Sequence, residues 1–358
     1  MIFDFLRKYP AATIITIGAT ELNAKTRDSK EKSSQSKSFL ILYQMELILF
    51  SDFLNLYTGR IKSYNNSMKN LFRRIKMPEL SNINVVREIL GRHGFKFSKN
   101  FGQNFIVNPD LCPRIAKESG VGPGICALEI GPGMGVLTKE LALRAEKVLS
   151  IEIDKALLPV LKETLAEFDN VTILNADVLE LDLKSVIKEH FGDMPFVVCA
   201  NLPYYITSPI IMKLLEENIG AENLTVMVQK EAAVRIAAKP GTRDCGAISA
   251  AINYYSEPEK LFDVSKGNFV PPPNVTSAVI RLTLRKEPPV KVADEKHFFK
   301  IVKAAFSQRR KTLTNSLSSG LGIGKEEVLY ALEQCGLGPN ARAEELSLAD
   351  FAALSEIL

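Results

Sequence analysis

Apolar and polar positions along the middle of the chain follow two distinct periods. Short apolar runs at Ile125–Ile130, Lys147–Asp154, Val171–Leu174, Phe196–Ala200 and Leu224–Gln229 read as strands. Between them apolar residues recur at helical spacing, as in Val136–Leu141 and Glu231–Ala238. This alternation predicts an α/β fold with a doubly wound, Rossmann-like sheet. Ile252–Tyr255 and Val275–Leu284 read as its last two strands. Beyond Glu287-Pro288-Pro289 the pattern changes, and Glu295–Phe306, Arg309–Ser318, Lys325–Cys335 and Leu348–Ile357 predict a small helical domain. Upstream, Ile83–Arg92 predicts a short amphipathic helix, and Asn108-Pro109-Asp110 caps another that runs to about Ser119.

The polar residues at the carboxyl ends of the strands suggest the chemistry. The first strand opens into Glu129-Ile130-Gly131-Pro132-Gly133-Met134-Gly135 before a helix begins. Glycines in such a turn permit positive φ and let the backbone approach a ligand that a Cβ would hold off. The second strand ends in Glu152 and Asp154, about 20 residues on, where Rossmann-like folds place the acid that binds ribose hydroxyls. The third ends at Asn175-Ala176-Asp177 and the fourth at Asn201-Leu202-Pro203-Tyr204. A dinucleotide fingerprint asks for glycine where Val136 stands, and there is no Gly-Lys-Ser/Thr for a nucleoside triphosphate. Glu129, Glu152, Asp154 and Asp177 would repel a pyrophosphate. They suit a ligand that joins a ribose to a positive centre, as S-adenosyl-L-methionine does.

These motifs stand in order with Asn100-Phe101-Gly102-Gln103-Asn104-Phe105 upstream and Phe269-Val270-Pro271-Pro272-Pro273-Asn274-Val275-Thr276-Ser277 downstream. Together they resemble the class I methyltransferases and, within them, the small-subunit (16S) rRNA adenine N6,N6-dimethyltransferases, over Pro78 to Leu358. The resemblance implies methyl transfer from S-adenosyl-L-methionine to N6 of two adjacent adenosines near the 3′ end of small-subunit rRNA. It implies a cytoplasmic monomer without membrane attachment, acting on a pre-small-subunit ribosomal particle during ribosome biogenesis. Asn104, Ile106, Gly131, Gly133, Glu152, Asp177 and Asn201 are the cofactor contacts it implies, with Asn104 and Ile106 in a lid.

An adenine N6 amine is a poor nucleophile because its lone pair is delocalised into the ring. Two acceptors aimed at its hydrogens would localise that pair. The Asn201 side-chain carbonyl and the backbone carbonyl of Leu202 or Pro203 supply them, and Tyr204 offers a stacking face. Phe269, by resemblance, closes the other side of a flipped base. The catalytic motifs also fit a large-subunit rRNA adenine methyltransferase of the antibiotic-resistance type. A ribosome-assembly factor acting mainly by binding is a second alternative. Val136 and the Asn-Leu-Pro-Tyr strand end speak against a nicotinamide dehydrogenase.

Charge and composition refine the picture. The net charge of +4 hides a division, because residues 1–76 carry 13 Lys and Arg against 6 Asp and Glu and the remainder is net −3. Nucleic-acid affinity of the body therefore rests on local patches. Residues 262–315 hold eleven Lys and Arg against four acids. Arg309-Arg310-Lys311 opens a predicted helix within this span and reads as an rRNA-backbone contact. The five cysteines form no close pair, and Cys126 and Cys199 lie in apolar strands, which predicts buried free thiols. His93, His190 and His297 lack metal-ligand spacing, so no metal is expected.

Three segments follow. Residues 1–76 are an atypical extension, polar and rich in Lys and Ser over Ala24–Ser38 and expected to be disordered there. They read either as a start assigned too far upstream or as a basic arm. Residues 77–286 read as the methyltransferase domain and 287–358 as a helical rRNA-binding domain.

Overall fold

The computed structural model describes residues 80–95, 103–308 and 310–358. The expectations for residues 1–76, Asn100, Phe101 and Arg309 lie outside the described residues. Residues Met77–Leu358 form one compact unit.

The chain first forms α1 (Ile83–Arg92), β1 (Phe105–Ile106) and α2 (Leu111–Glu118). Alternating units follow as β2 (Cys126–Ile130), α3 (Val136–Ala142), β3 (Val148–Glu152), α4 (Leu158–Thr164), β4 (Val171–Asn175) and α5 (Leu183–Phe191). Then come β5 (Phe196–Asn201), α6 (Thr207–Glu216), β6 (Asn223–Gln229), α7 (Lys230–Ile236) and α8 (Ala247–Tyr255). The last strands are β7 (Ser256–Val264), β8 (Phe269–Val270) and β9 (Ser277–Leu284). Four helices end the chain: α9 (Glu295–Ala305), α10 (Leu313–Leu321), α11 (Lys325–Gln334) and α12 (Leu348–Ile357).

The main sheet has seven strands in the order β4-β3-β2-β5-β6-β9-β7. β2 to β6 pair in parallel, while β9 is antiparallel to both β6 and β7. Successive side chains of the central strands enter opposite cores. Ala127, Val148 and Val197 pack with Ile115, Leu141 and Leu161 on one face. Leu128, Leu149 and Val198 pack with Leu183, Ile211 and Leu214 on the other. Burial on both faces makes these strands read as unbroken apolar runs. The connection reverses direction between β2 and β5, which places a crevice at their carboxyl ends. A separate antiparallel pair, β1 with β8, sets Phe105 opposite Val270 and Ile106 opposite Phe269.

Two expectations are corrected here. Ile252–Tyr255 is the end of helix α8, not a strand. Ile252 joins a sheet core, while Ala250 and Tyr254 join the core of the terminal helices. A helix buried on two sides lacks the one-sided pattern that reveals an amphipathic helix. The strand lies just beyond it, at β7, whose Glu257, Pro258, Glu259, Lys260 and Asp263 disguise it as a loop. Charges and proline are what an edge strand carries. Arg281–Glu259 (2.7 Å) and Arg285–Glu257 (2.8 Å) pairs join it to β9.

Helix α10 likewise begins at Leu313, after Thr312, so Arg310 and Lys311 precede it rather than open it. Cations within the first turn would oppose the helix dipole.

The terminal helices share a core of Phe298, Ile301, Leu317, Leu332 and Phe351. Tyr254 and Tyr255 of α8 stack against Phe298 and Phe299 at its border. Where α10 crosses α9, a Cβ on Gly320 would stand 2.7 Å from Ala304 Cβ and 2.9 Å from its Cα. Gly320→Val should therefore destabilise the protein by about 2 kcal/mol through overpacking. Denaturant melts with hydrogen exchange should place the loss in α9 and α10. Unchanged exchange in those helices would show that the two backbones do not approach this closely.

Candidate active site

A cleft of about 1040 Å³, counting its open mouth, lies at the carboxyl ends of β2, β3, β4 and β5. Its lining includes Glu129, Glu152 and Asp177 but, among the described residues, no Lys or Arg. Asn104, Ile106, Gly131, Gly133, Asn201, Leu202, Pro203 and Tyr204, all named from the sequence, also line it. Phe269 does not. It is 2% exposed and packed in the same core as Phe105 and Ile106, across the β1–β8 pair.

The turn after β2 forms the floor. Gly131 (φ +70°) and Gly133 (φ +60°) both adopt left-handed backbone that L side chains rarely tolerate. A Cβ on Gly133 would press the Phe105 ring at 3.3 Å, whereas one on Gly131 would meet no atom within 4 Å. The first glycine thus keeps a cavity wall thin, and the second lets the β1 segment settle over the turn.

Both acids at the base of the cleft are buried without an ion pair among the described residues. Glu152 Oε2 accepts from the Gly133 N–H (3.3 Å) and Oε1 from the Asp154 N–H (2.8 Å). Asn175 Nδ2 holds the Glu152 carbonyl at 2.7 Å. Burial raises the Glu152 carboxyl above its ordinary value, only partly offset by those two N–H groups. Glu129 Oε2 accepts from Ser150 Oγ at 2.7 Å, a bond between neighbouring strands. Its burial, reinforced by the charge of Glu152, pushes its carboxyl up to about 7. Asp177 is turned back to cap its own loop, accepting from the Leu179 N–H at 2.9 Å.

At the β5 end, Asn201 Nδ2 donates to the Asn104 carbonyl at 3.4 Å, which leaves Oδ1 without a protein partner among the described residues. The two candidate backbone acceptors are not equivalent. The Pro203 carbonyl accepts from the Ile206 N–H (3.2 Å) and Thr207 Oγ1 (3.1 Å), whereas none of the described residues donates to that of Leu202. The Tyr204 hydroxyl meets Ser277 Oγ at 2.7 Å, pinning its ring from β9.

Three positioning contacts escaped the sequence reading. Gln103 Nε2 donates to Asp154 Oδ2 at 2.7 Å, so Asp154 holds the segment over the cleft instead of lining it. Ser150 and Ser277 are the others. The last stood in a quoted motif, but no one-dimensional signal pairs it with Tyr204.

A model of the ribosomal RNA adenine dimethylase family matches residues 94–358. The chain belongs to that family. It is 50% identical over 276 residues to the ribosomal RNA small subunit methyltransferase A of Geobacillus thermodenitrificans, covering 76% of this chain and 94% of that protein. The protein of the same name from Bacillus cytotoxicus is 48% identical over 286 residues, covering 79% and 98%. Among solved structures, the 23S rRNA methyltransferase ErmE superposes with TM-score 0.55 at 30% identity, over 71% of this chain and 99% of that one. A dimethyladenosine transferase from Plasmodium falciparum gives TM-score 0.59 at 24% identity, over 70% and 95%, and shares the fold. The chain is thus an rRNA adenine methyltransferase by family, with a mixed α/β fold of the class I methyltransferase kind. Among the described residues no helix is long and apolar enough to cross a membrane. All five cysteines are free and all but Cys335 are buried.

The carboxyl of Glu129 makes stability depend on pH. Below about 4.5 it is protonated whether the chain is folded or not, and between there and about 7 only the unfolded chain ionises readily. Stability should fall as pH rises through that window, by up to about 3 kcal/mol from this group. Glu129→Gln, neutral throughout, should flatten the fall in Tm between pH 4.5 and 8. Parallel Tm profiles for the two proteins would show that Glu129 is ionised in the fold at low pH.

Proposed function

We propose that the chain transfers methyl groups from S-adenosyl-L-methionine to N6 of two adjacent adenosines near the 3′ end of small-subunit rRNA. The product is N6,N6-dimethyladenosine, made in the cytoplasm on a pre-small-subunit ribosomal particle. The observation that carries this reading is the pairing of a cleft lined, among the described residues, by acids and no Lys or Arg with Asn201 and Leu202 carbonyls that no described residue engages at its rim. Identity of 50% to a small-subunit enzyme against 30% to a 23S enzyme favours the small-subunit substrate over the large.

The residues present fit the cofactor. Bound there, it would supply a methyl group already activated on a sulfonium. Glu152, with lone pairs left beyond its two backbone bonds, would accept from ribose hydroxyls. Asp177 would accept from the adenine amine, and the open space at Gly131 would take the ligand's body. Asn104 and Ile106 would close over it. Glu129 and Glu152 would stabilise the positive centre.

The target adenine would stack on Tyr204, held flat by Ser277. Asn201 Oδ1 and the Leu202 carbonyl would accept its two N6 hydrogens and turn the nitrogen lone pair toward the methyl group. Pro203 stiffens the turn between them, and its own carbonyl is committed to the helix start. As the N–C bond forms, the S–C bond of the sulfonium would break and return its electron pair to sulfur as a neutral thioether, and the proton of the cationic N6 would then pass to water. Orientation, not a strong base, carries the step. Phe269 would act from behind, fixing Ile106 and Phe105 through the β1–β8 pair, in place of the stacking role that the resemblance implies.

Residues 77–286 would carry this chemistry, and residues 287–358 would hold the rRNA. Lys296, Lys300 and Lys303 recur along one exposed face of α9, and Arg310 and Lys311 follow in the exposed turn before α10. None of these five forms an ion pair among the described residues. Phosphates are the natural partners of such a track.

Three measurements test the reading. Labelled S-adenosyl-L-methionine should methylate small-subunit particles that lack the modification, with label mapping to the adjacent adenosines. Asn201→Ala should slow single-turnover transfer on the order of 100-fold while particle binding changes less than about threefold, since its acceptor acts mainly in the transition state. Equal rates would remove Asn201 from the chemistry. Replacing Arg309, Arg310 and Lys311 by Gln should weaken particle binding and flatten the slope of log affinity against log salt. A loss of binding with the slope intact would mean that the triplet acts through folding instead.

A further inference from the structure

We infer that the ring of Tyr205 is a second stacking face, which receives the base beside the one being methylated. This inference rests on the proposed function, and it concerns a residue that neither the cofactor nor the target adenine engages in that reading.

Tyr205 lines the cleft yet is 58% exposed, an unusual position for a large aromatic side chain. Among the described residues its hydroxyl has no hydrogen-bond partner and its ring no aromatic neighbour. Tyr204, one residue earlier, is half-buried and tied to Ser277. Both belong to one 3₁₀ turn, Tyr204–Ile206. With three residues per turn, consecutive side chains leave the axis in different directions, so the two rings cannot share one base. The turn itself is rigid, because the Pro203 carbonyl receives both the Ile206 N–H and Thr207 Oγ1, and α6 continues from it. A ring presented on such a turn loses little entropy when a base settles on it.

Withdrawing one adenosine from a stack exposes a face of its neighbour. Proteins that handle unpaired strands commonly cover such faces with aromatic rings set in succession. A substrate of two adjacent adenosines presents that situation at each methylation. The pair Tyr204-Tyr205 provides one fixed ring inside the cleft and one at its mouth. The structure thus assigns the mouth to the flanking base.

A protein–RNA double-mutant cycle tests this. Particles are reconstituted on unmodified transcripts carrying both adenosines, or with either one replaced by uridine, a poorer stacking partner. Parent, Tyr205→Ala and Tyr205→Phe are compared in kcat/KM for transfer of labelled methyl to the mapped adenosine. Tyr205→Ala should lower kcat/KM on the two-adenosine particle by roughly 5- to 150-fold, the span expected for one base–aromatic stack. Tyr205→Phe should restore it, and the penalty of Tyr205→Ala should shrink when the neighbour is uridine. S-adenosyl-L-methionine affinity, read by calorimetry, should be the same for all three proteins. Independent, multiplying losses overturn the inference, as does failure of Phe to rescue or a loss of cofactor affinity in Tyr205→Ala. A parent protein that methylates no adenosine in these particles overturns the proposed function, and this inference with it.

Discussion

Two carboxylates buried side by side, with no counter-cation among the described residues, set the terms for the rest of the structure. Glu129 and Glu152 stand at the ends of neighbouring strands, and the donors that reach them among the described residues are neutral, Ser150 Oγ among them for one and the Gly133 and Asp154 N–H groups for the other. Burying charge this way is unfavourable, as the upward displacement of both carboxyls records. A lysine placed nearby would relieve the strain and also fill the site. With no Lys or Arg among the described lining residues, the cleft has a deficit that a positively charged ligand can meet, which would link binding energy and folding energy at this point. The left-handed glycine turn serves the same end, since the Gly133 N–H is one of the donors on Glu152.

The segment from Gln103 to Ile106 depends on that turn in its own way. It is tied to three strand ends at once. Gln103 reaches Asp154 beyond β3, the Asn104 carbonyl receives Asn201 at the end of β5, and the Phe105 ring lies against Gly133 after β2. Ile106 and Phe105 then pair with Phe269 and Val270. A strap with one anchor per loop registers the loops relative to one another, which matters because transfer between two bound molecules tolerates little misplacement. It also covers the buried acids and limits water near them, which strengthens each hydrogen bond inside.

Much of this was legible in the sequence, and the limits have physical causes. The parallel strands announced themselves because burial on both faces removes polar residues, and the glycine turn because its backbone allows little else. The strand-end acids and Asn201 to Tyr204 were readable because strand ends recur at fixed intervals in a wound sheet. Helix α8 and strand β7 were misread together, since each carries the composition of the other's usual environment: an apolar helix between two cores and a charged strand at an edge. The β1–β8 pair was invisible, because two-residue strands 160 residues apart have no period to read. For the same reason nothing in the sequence indicated that Phe269 is buried behind the strap. That the Pro203 carbonyl is already engaged depends on the hydrogen bonds of the following helix, which no local motif specifies.

Charge is divided in a way that bears on how a nucleic acid can approach. The cleft is lined by acids, and none of the lining residues comes from the four terminal helices. Lys296, Lys300, Lys303, Arg310 and Lys311, none of them in an ion pair among the described residues, gather on α9 and in the turn before α10. A phosphate is therefore attracted to one region and repelled from the other, and at physiological salt each effect fades over about 8 Å. Only the uncharged part of a nucleotide can enter the cleft without electrostatic penalty. The backbone would then remain outside while the base turns inward, and acids placed to hold a sulfonium would also reject a misplaced strand. Extrusion of the base follows from the same electrostatics that would bind the cofactor. No separate device for opening the strand is then required of the catalytic edge, only rings at its mouth to receive what the turning base leaves exposed.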